Sequence, residues 1–137
     1  MNDPMLELRA INATAAFNRW SGFEIIEAAL GRVEIGMQWR AEAAQYSGYL
    51  HAGLIGALID TACGYAAATL AGRVMASHFS VNCLRPAVGE HFRARARVVK
   101  SGKTQIFTMC ELFAITGDKE TLVATGETIL VPVAAAA

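Results

Sequence analysis

The sequence predicts an α+β domain in which about six mostly antiparallel strands curl around one long central helix. Three observations carry this reading. The segments run in the order helix, two strands, long apolar helix, four strands. The strands of the second half are joined by turns too short to hold crossover helices, which excludes a doubly wound parallel sheet. The stretch from Ala52 to Gly72 is apolar on all sides except for one carboxylate, Asp60, and such a helix belongs inside something.

In chain order, Met5 to Trp20 places Met5, Leu8, Ile11, Ala15, Ala16 and Trp20 close to helical period, after an Asp3-Pro4 start signal. It predicts a short amphipathic helix lying on the body, ended by Ser21-Gly22. From Phe23 the period becomes two, with Val33, Ile35, Met37 and Trp39 alternating with Arg32, Glu34, Gln38 and Arg40 around a Leu30-Gly31 hairpin turn. Ala41 to Tyr49 reads as a loop into the central helix. Strands follow over 74–85, 90–100, 104–116 and 121–133, separated by Pro86, Ser101-Gly102-Lys103 and Gly117-Asp118-Lys119. Residues 134–137 read as a frayed tail of a single domain spanning 1–137.

The composition bounds the partners. Apolar residues make up 54% of the chain and charged residues 18%, so more surface is buried than one small monomer buries, and a homo-oligomer is expected. Twelve basic residues cancel twelve acidic ones, which leaves no global field to recruit nucleic acid or an anionic bilayer. Leu54 to Gly72 has the length of a membrane span, but Asp60 sits in its middle and no basic flank orients it. Cys63, Cys83 and Cys110 are widely spaced and form no metal or redox pair, and Met1-Asn-Asp-Pro lacks the pattern of a secretory signal. The expectation is a reduced, cytoplasmic protein that uses no metal.

Asp60 is the candidate site by cost alone. Burying a lone carboxylate among Ala, Gly, Leu and Ile is unfavourable unless it is paired or its pKa moves. The bland alternative is a core helix whose aspartate pairs with a neighbour. Gly56, Asp60 and Gly64, spaced i, i+4, i+8, share a stripe with room for a ligand or another backbone. His78 and His91 read as sheet-face residues, and Arg93, Arg95 and Arg97 as a solvated strand face.

The run His51-Ala-Gly-Leu-Ile-Gly-Ala-Leu-Ile-Asp60-Thr-Ala-Cys-Gly64, with Ser80-Val-Asn-Cys-Leu-Arg85-Pro86 and Gly89 after it, resembles the hotdog-fold acyl-CoA thioesterases of the phenylacetic-acid-degradation (PaaI-like) type. The nine-residue spacing from His51 to Asp60 is the specific part. The resemblance covers roughly residues 15 to 131. It implies a dimer, or a dimer of dimers, with active sites between subunits. It further implies that Asp60 serves as nucleophile or general base against the helix start of the facing subunit. There Ala52 and Gly53 would offer backbone N–H groups, His51 would shape the loop or meet the thioester, and Gln45 would orient water. Tyr49, Leu54 and Phe79 are expected to line an uncharged acyl site beside Gly56 and Gly64. Arg85, Lys100 and Lys103 are expected to meet the phosphates of coenzyme A, which enters as part of the substrate and not as a cofactor.

Two positions depart from the family pattern: Ala52 stands where Gly is usual, and Ala76 where many relatives place Ser or Thr near the carboxylate. The expected reaction is hydrolysis of a small or medium acyl, or aryl, CoA thioester. The alternatives are a hotdog hydratase or dehydratase acting on an enoyl thioester, and a non-catalytic acyl-CoA-binding module.

Overall fold

A computed structural model describes residues 3–134 of the chain. Of the expected frayed tail, residues 135–137 lie outside the described residues, and Ala134 is exposed beyond the last strand. The first helix, α1 (Pro4–Thr14), starts where Asp3 accepts a hydrogen bond from the Met5 N–H at 2.9 Å, and it buries Leu8. The helix expected over Met5–Trp20 is in fact two. Ala15 is extended, and α2 (Ala16–Ser21) follows, closed by Gly22 in the left-handed conformation. Nothing at Ala15 is an intrinsic breaker, and the reason for the break is tertiary. Asn12 and Asn18 would point about 120° apart on a continuous helix, and the interruption brings both onto one side chain of the central helix.

The strands β1 (Glu24–Ala29), β2 (Arg32–Gln38), β3 (Val74–Cys83), β4 (His91–Ser101), β5 (Ile106–Thr116) and β6 (Lys119–Pro132) form one sheet. Its order is β1-β2-β4-β5-β6-β3, with every neighbouring pair antiparallel. The central helix α3 (Ala52–Ala71) lies across the concave face, between β2 and β3 in sequence. It buries Ile55, Leu58, Ile59, Ala62, Cys63 and Ala66 against Ile35, Phe92, Leu112 and Val123 of the sheet. Gly126 on β6 permits this approach, since a Cβ there would fall 2.8 Å from Ile59 Cγ2 and 2.7 Å from the Ser80 carbonyl. This is the hotdog arrangement that the resemblance implies.

α3 differs from the helix buried on all sides that its sequence implies. Leu54, Ala57, Asp60, Thr61, Gly64 and Ala68 face outward and are only half covered. By length and composition α3 passes as a bilayer span, yet half of that stretch is buried against the sheet. Apolar character all round thus reflects a core on one side and an unfilled contact on the other. The two edges of the sheet also differ. α1 packs on β1, whereas β3, though it meets α3 on its inner face, has no strand beyond its outer edge and leaves Met75 65% and Phe79 48% exposed.

Candidate active site

The loop before α3 is tied to itself. A 3₁₀ turn at Ala41–Ala43 leads into an Ala44–Leu50 bridge, and the His51 N–H reaches the Ala43 carbonyl at 2.9 Å. Gln45 braces the turn between: its Oε1 accepts from the N–H groups of Ser47 at 2.5 Å and Tyr49 at 3.2 Å. The oxygen of the residue expected to orient water is therefore engaged locally.

His51 caps the helix. Its Nδ1 accepts from the Gly53 N–H at 2.7 Å, and its carbonyl accepts from Leu54 and Ile55 at 2.9 and 3.1 Å. With Nδ1 as acceptor, the proton of the neutral ring is on Nε2, which becomes a free donor. The cap explains the departure from the family pattern at Ala52. A Cβ at Gly53 would lie 2.9 Å from His51 Nδ1, so the imidazole folds over the helix start only if that residue is glycine. Ala52 has no such constraint. Of the two N–H groups expected to face a thioester carbonyl, Gly53 already serves the cap and Ala52 has no backbone partner in the turn.

Asp60 sits two turns further on, half-buried, in a trough of about 870 Å³ shared with Gly64, Tyr65, Ala76 and Leu130. Burial pushes its carboxyl above the ordinary aspartate range, with no ion pair or hydrogen bond acting on it. The pairing alternative for Asp60 therefore finds no partner among the described residues. Ala76 does face this trough, so the missing hydroxyl is missing beside the carboxylate. Ser77 is bulged out of register between Ala76 and His78, and its Oγ donates to the Ile129 carbonyl at 3.3 Å.

The remaining expected residues are divided between places. Phe79 packs its ring on the first turns of α3, 3.4 Å from where a Gly56 Cβ would be, so the space expected at Gly56 is filled from within the chain. Gly64 is the member of the glycine stripe that stays open beside Asp60. Tyr49 is 39% exposed on the pre-helix loop and Leu54 is half-buried in the first turn, both outside the Asp60 trough. Arg85 follows β3 at the end where α3 begins, next to Ala87, whose carbonyl accepts from Leu50. Lys100 and Lys103 flank the β4–β5 turn at the opposite end, level with Ala76 through Ile106 and Leu130. One chain therefore does not gather these three cations around one phosphate. Arg93 and Arg95 are engaged with Glu34 at 3.3 and 3.1 Å, and Arg95 also with Glu120 at 2.7 Å, as a strand-face network.

The sequence reading missed Asn12, Asn18 and Tyr65. The Tyr65 hydroxyl donates to Asn12 Oδ1 at 2.7 Å and accepts from Asn18 Nδ2 at 2.9 Å, while Asn18 Nδ2 also donates to Asn12 Oδ1 at 2.8 Å. The available signal was two asparagines, poor helix formers, within a helical pattern. Cys63 and Cys110 meet in the core as free thiols. The hydrogen bond between them pushes Cys110 well up, with burial adding to the rise, and draws Cys63 down; both thiols are buried in the core, Cys63 completely, so no substrate reaches a nucleophile there.

The half-buried carboxylate and the capped glycine helix start lie on a hotdog scaffold whose relatives are identifiable. Residues 47–121 match the family model of the thioesterase superfamily. The chain is 34% identical to a thioesterase family protein from Silicibacter pomeroyi, with a TM-score of 0.90 over 94% of this chain and 97% of the other. It shares the fold of the PaaI protein from the phenylacetic acid degradation operon of E. coli, at 22% identity and a TM-score of 0.87 over 96% and 94% of the two chains. A thioesterase enzyme from Staphylococcus aureus shares it too, at 22% identity and a TM-score of 0.80 over 85% and 98%. No curated protein sequence matches. The chain belongs to the thioesterase superfamily, as a hotdog-fold thioester hydrolase.

Proposed function

We propose that the protein hydrolyses a small or medium acyl, or aryl, CoA thioester at a site shared by two copies of the chain. One observation carries this reading. Asp60 and the Ala52 N–H are separated by about 12 Å along α3 at 1.5 Å per residue, whereas a base and the carbonyl it serves must lie within hydrogen-bond reach or one water of each other. The two halves of the chemistry cannot meet within one chain, so a second chain supplies the missing half.

The uncovered β3 edge, carrying Met75 and Phe79, is the surface that supports such pairing, because an exposed apolar edge strand is a template for another copy. Two sheets joined there in antiparallel fashion lay two α3 helices side by side with opposite directions. The carboxylate of one then approaches the start of the other. In this arrangement the Ala52 N–H and His51 Nε2–H polarise the thioester carbonyl, and Asp60 attacks it or takes the proton of an attacking water. Raised by burial, Asp60 is a better base than an ordinary aspartate. No metal or cofactor enters this scheme. Three unpaired thiols suit a reducing, cytoplasmic setting.

The test is a thiol-release panel over butyryl-, hexanoyl-, lauroyl- and phenylacetyl-CoA, with a parallel hydration assay on crotonyl-CoA. Release of CoA from the short and aryl substrates without hydration is the expected result. Hydration of crotonyl-CoA would assign the chain to the hydratase reading instead. Tight binding with no thiol release across the panel would make it a binding module.

A further inference from the structure

We propose that Tyr65, held by Asn12 and Asn18, fixes the width of the acyl trough and so selects short or aryl acyl groups over long chains; this rests on the hydrolase reading above. The trough follows the outward face of α3 from Asp60 past Gly64 and Ala68 to Gly72, with β3 and Leu130 on one side. That is a length of about 18 Å at 1.5 Å per residue. Its other side is α1, through Leu8 and Ile11.

Tyr65 lies about 7 Å along the axis from Asp60, between the carboxylate and the far half of the trough. An acyl group whose carbonyl is at the carboxylate has room for a short chain or one ring before it meets the phenol. A longer chain must pass the point where Tyr65 is joined to α1. That joint is polar. Among the described residues, the side-chain hydrogen bonds from α1 and α2 to α3 all run through the Tyr65 hydroxyl, which donates to Asn12 of α1 and accepts from Asn18 in the middle of α2. Asn12 Nδ2 anchors the group by donating to the Phe23 carbonyl at 2.7 Å. Asn18 is buried and keeps Asn12 Oδ1 as a second acceptor, so loss of the Tyr65 hydroxyl loosens the joint to α3 without orphaning the amide. Burial pushes the phenol pKa up, against the Asn18 N–H, and it stays a hydroxyl donor. α1 rests on β1 with Leu8 buried in the core, and the clasp ties its C-terminal end to α3, which holds the exposed Ile11 close over the far trough.

The experiment compares kcat/KM for lauroyl-CoA and butyryl-CoA in the parent and in Tyr65→Phe. The variant keeps the ring and removes the hydroxyl. If the clasp sets the width, the lauroyl to butyryl ratio rises about fivefold, the factor that one net hydrogen bond provides. If both substrates slow in parallel and the ratio stays at the parent value, Tyr65 is only structural and the proposal is overturned. Asn18→Ser provides the same readout should Tyr65→Phe not fold. Calorimetry with the thioethers S-butyl-CoA and S-dodecyl-CoA separates the two readings. Selective tightening of the dodecyl ligand in the variant supports the width role even if the parent releases no thiol, in which case only the hydrolase assignment falls. Unchanged relative affinity overturns the width role even if the parent is an active thioesterase.

Discussion

At the start of α3, the imidazole of His51 accepts from Gly53, the His51 carbonyl takes Leu54 and Ile55, and Gln45 closes the loop behind them. Two turns later, Asp60 holds a desolvated carboxylate with no partner among the described residues. The first region is complete by itself and would persist in an isolated chain. The second carries an unfavourable charge that only a ligand, a water or a second chain can relieve. The contrast teaches where the chemistry is spent: a stable platform of donors in one place, and in the other a base made reactive by the lack of compensation.

Asp60→Asn breaks the contrast most severely. Turnover of the best CoA thioester should fall by about 10²-fold or more, while the melting temperature at neutral pH rises, because the desolvated charge is gone. The pH dependence of that stabilisation follows from the direction of the shift. A carboxyl raised in the folded state binds its proton more tightly there than in the unfolded chain, so parent stability falls as pH climbs from the ordinary aspartate value through the raised one. The gain in Asp60→Asn should therefore be full above that window and vanish below it, as pH-resolved melting curves will show. Retention of parent turnover in a folded Asp60→Asn protein would remove the carboxylate from the mechanism.

The acid limb of the parent profile is the next largest effect. The base must be unprotonated, so kcat/KM should rise with pH through a value above the normal aspartate range, reported by the free enzyme. A limb at the usual aspartate position would place the active group in a more solvated setting than the trough.

The smallest effects sharpen the helix start. Gly53→Ala puts a Cβ 2.9 Å from the imidazole and displaces the cap, with an expected loss of about tenfold in kcat/KM from misplaced donors. Ala52→Gly, one residue away, should leave the rate unchanged, since the N–H is the same and Ala52 is exposed. Equal effects from the two substitutions would show that His51 does not determine the geometry of the turn.

Much of this molecule was legible in its letters. The six strands follow from period-two patterns and short Gly turns, and α3 matches its expected start and end because its boundaries are a capping His and a Gly. Asp60 stood out because a single carboxylate in an apolar run is costly wherever it is placed. The break at Ala15 was not legible: Ala15 suits a helix, and only the attraction of Asn12 and Asn18 to Tyr65 makes the extended conformation there worthwhile. The occupation of the Gly53 N–H by its own neighbour was equally hidden, since spacing shows that His51 and Gly53 are close but not which atom takes which partner.

The sequence by itself determined what is local or periodic: the elements, the apolar faces, and a charge stranded within one of them. The tertiary structure alone decided what depends on distance across the fold. It separated Arg85 from Lys100 and Lys103, filled the space at Gly56 with Phe79, and stretched a trough from Asp60 beneath α1. The reason is physical: periodicity fixes which side of an element a residue occupies, whereas its neighbours depend on how the sheet curves and which helix covers it.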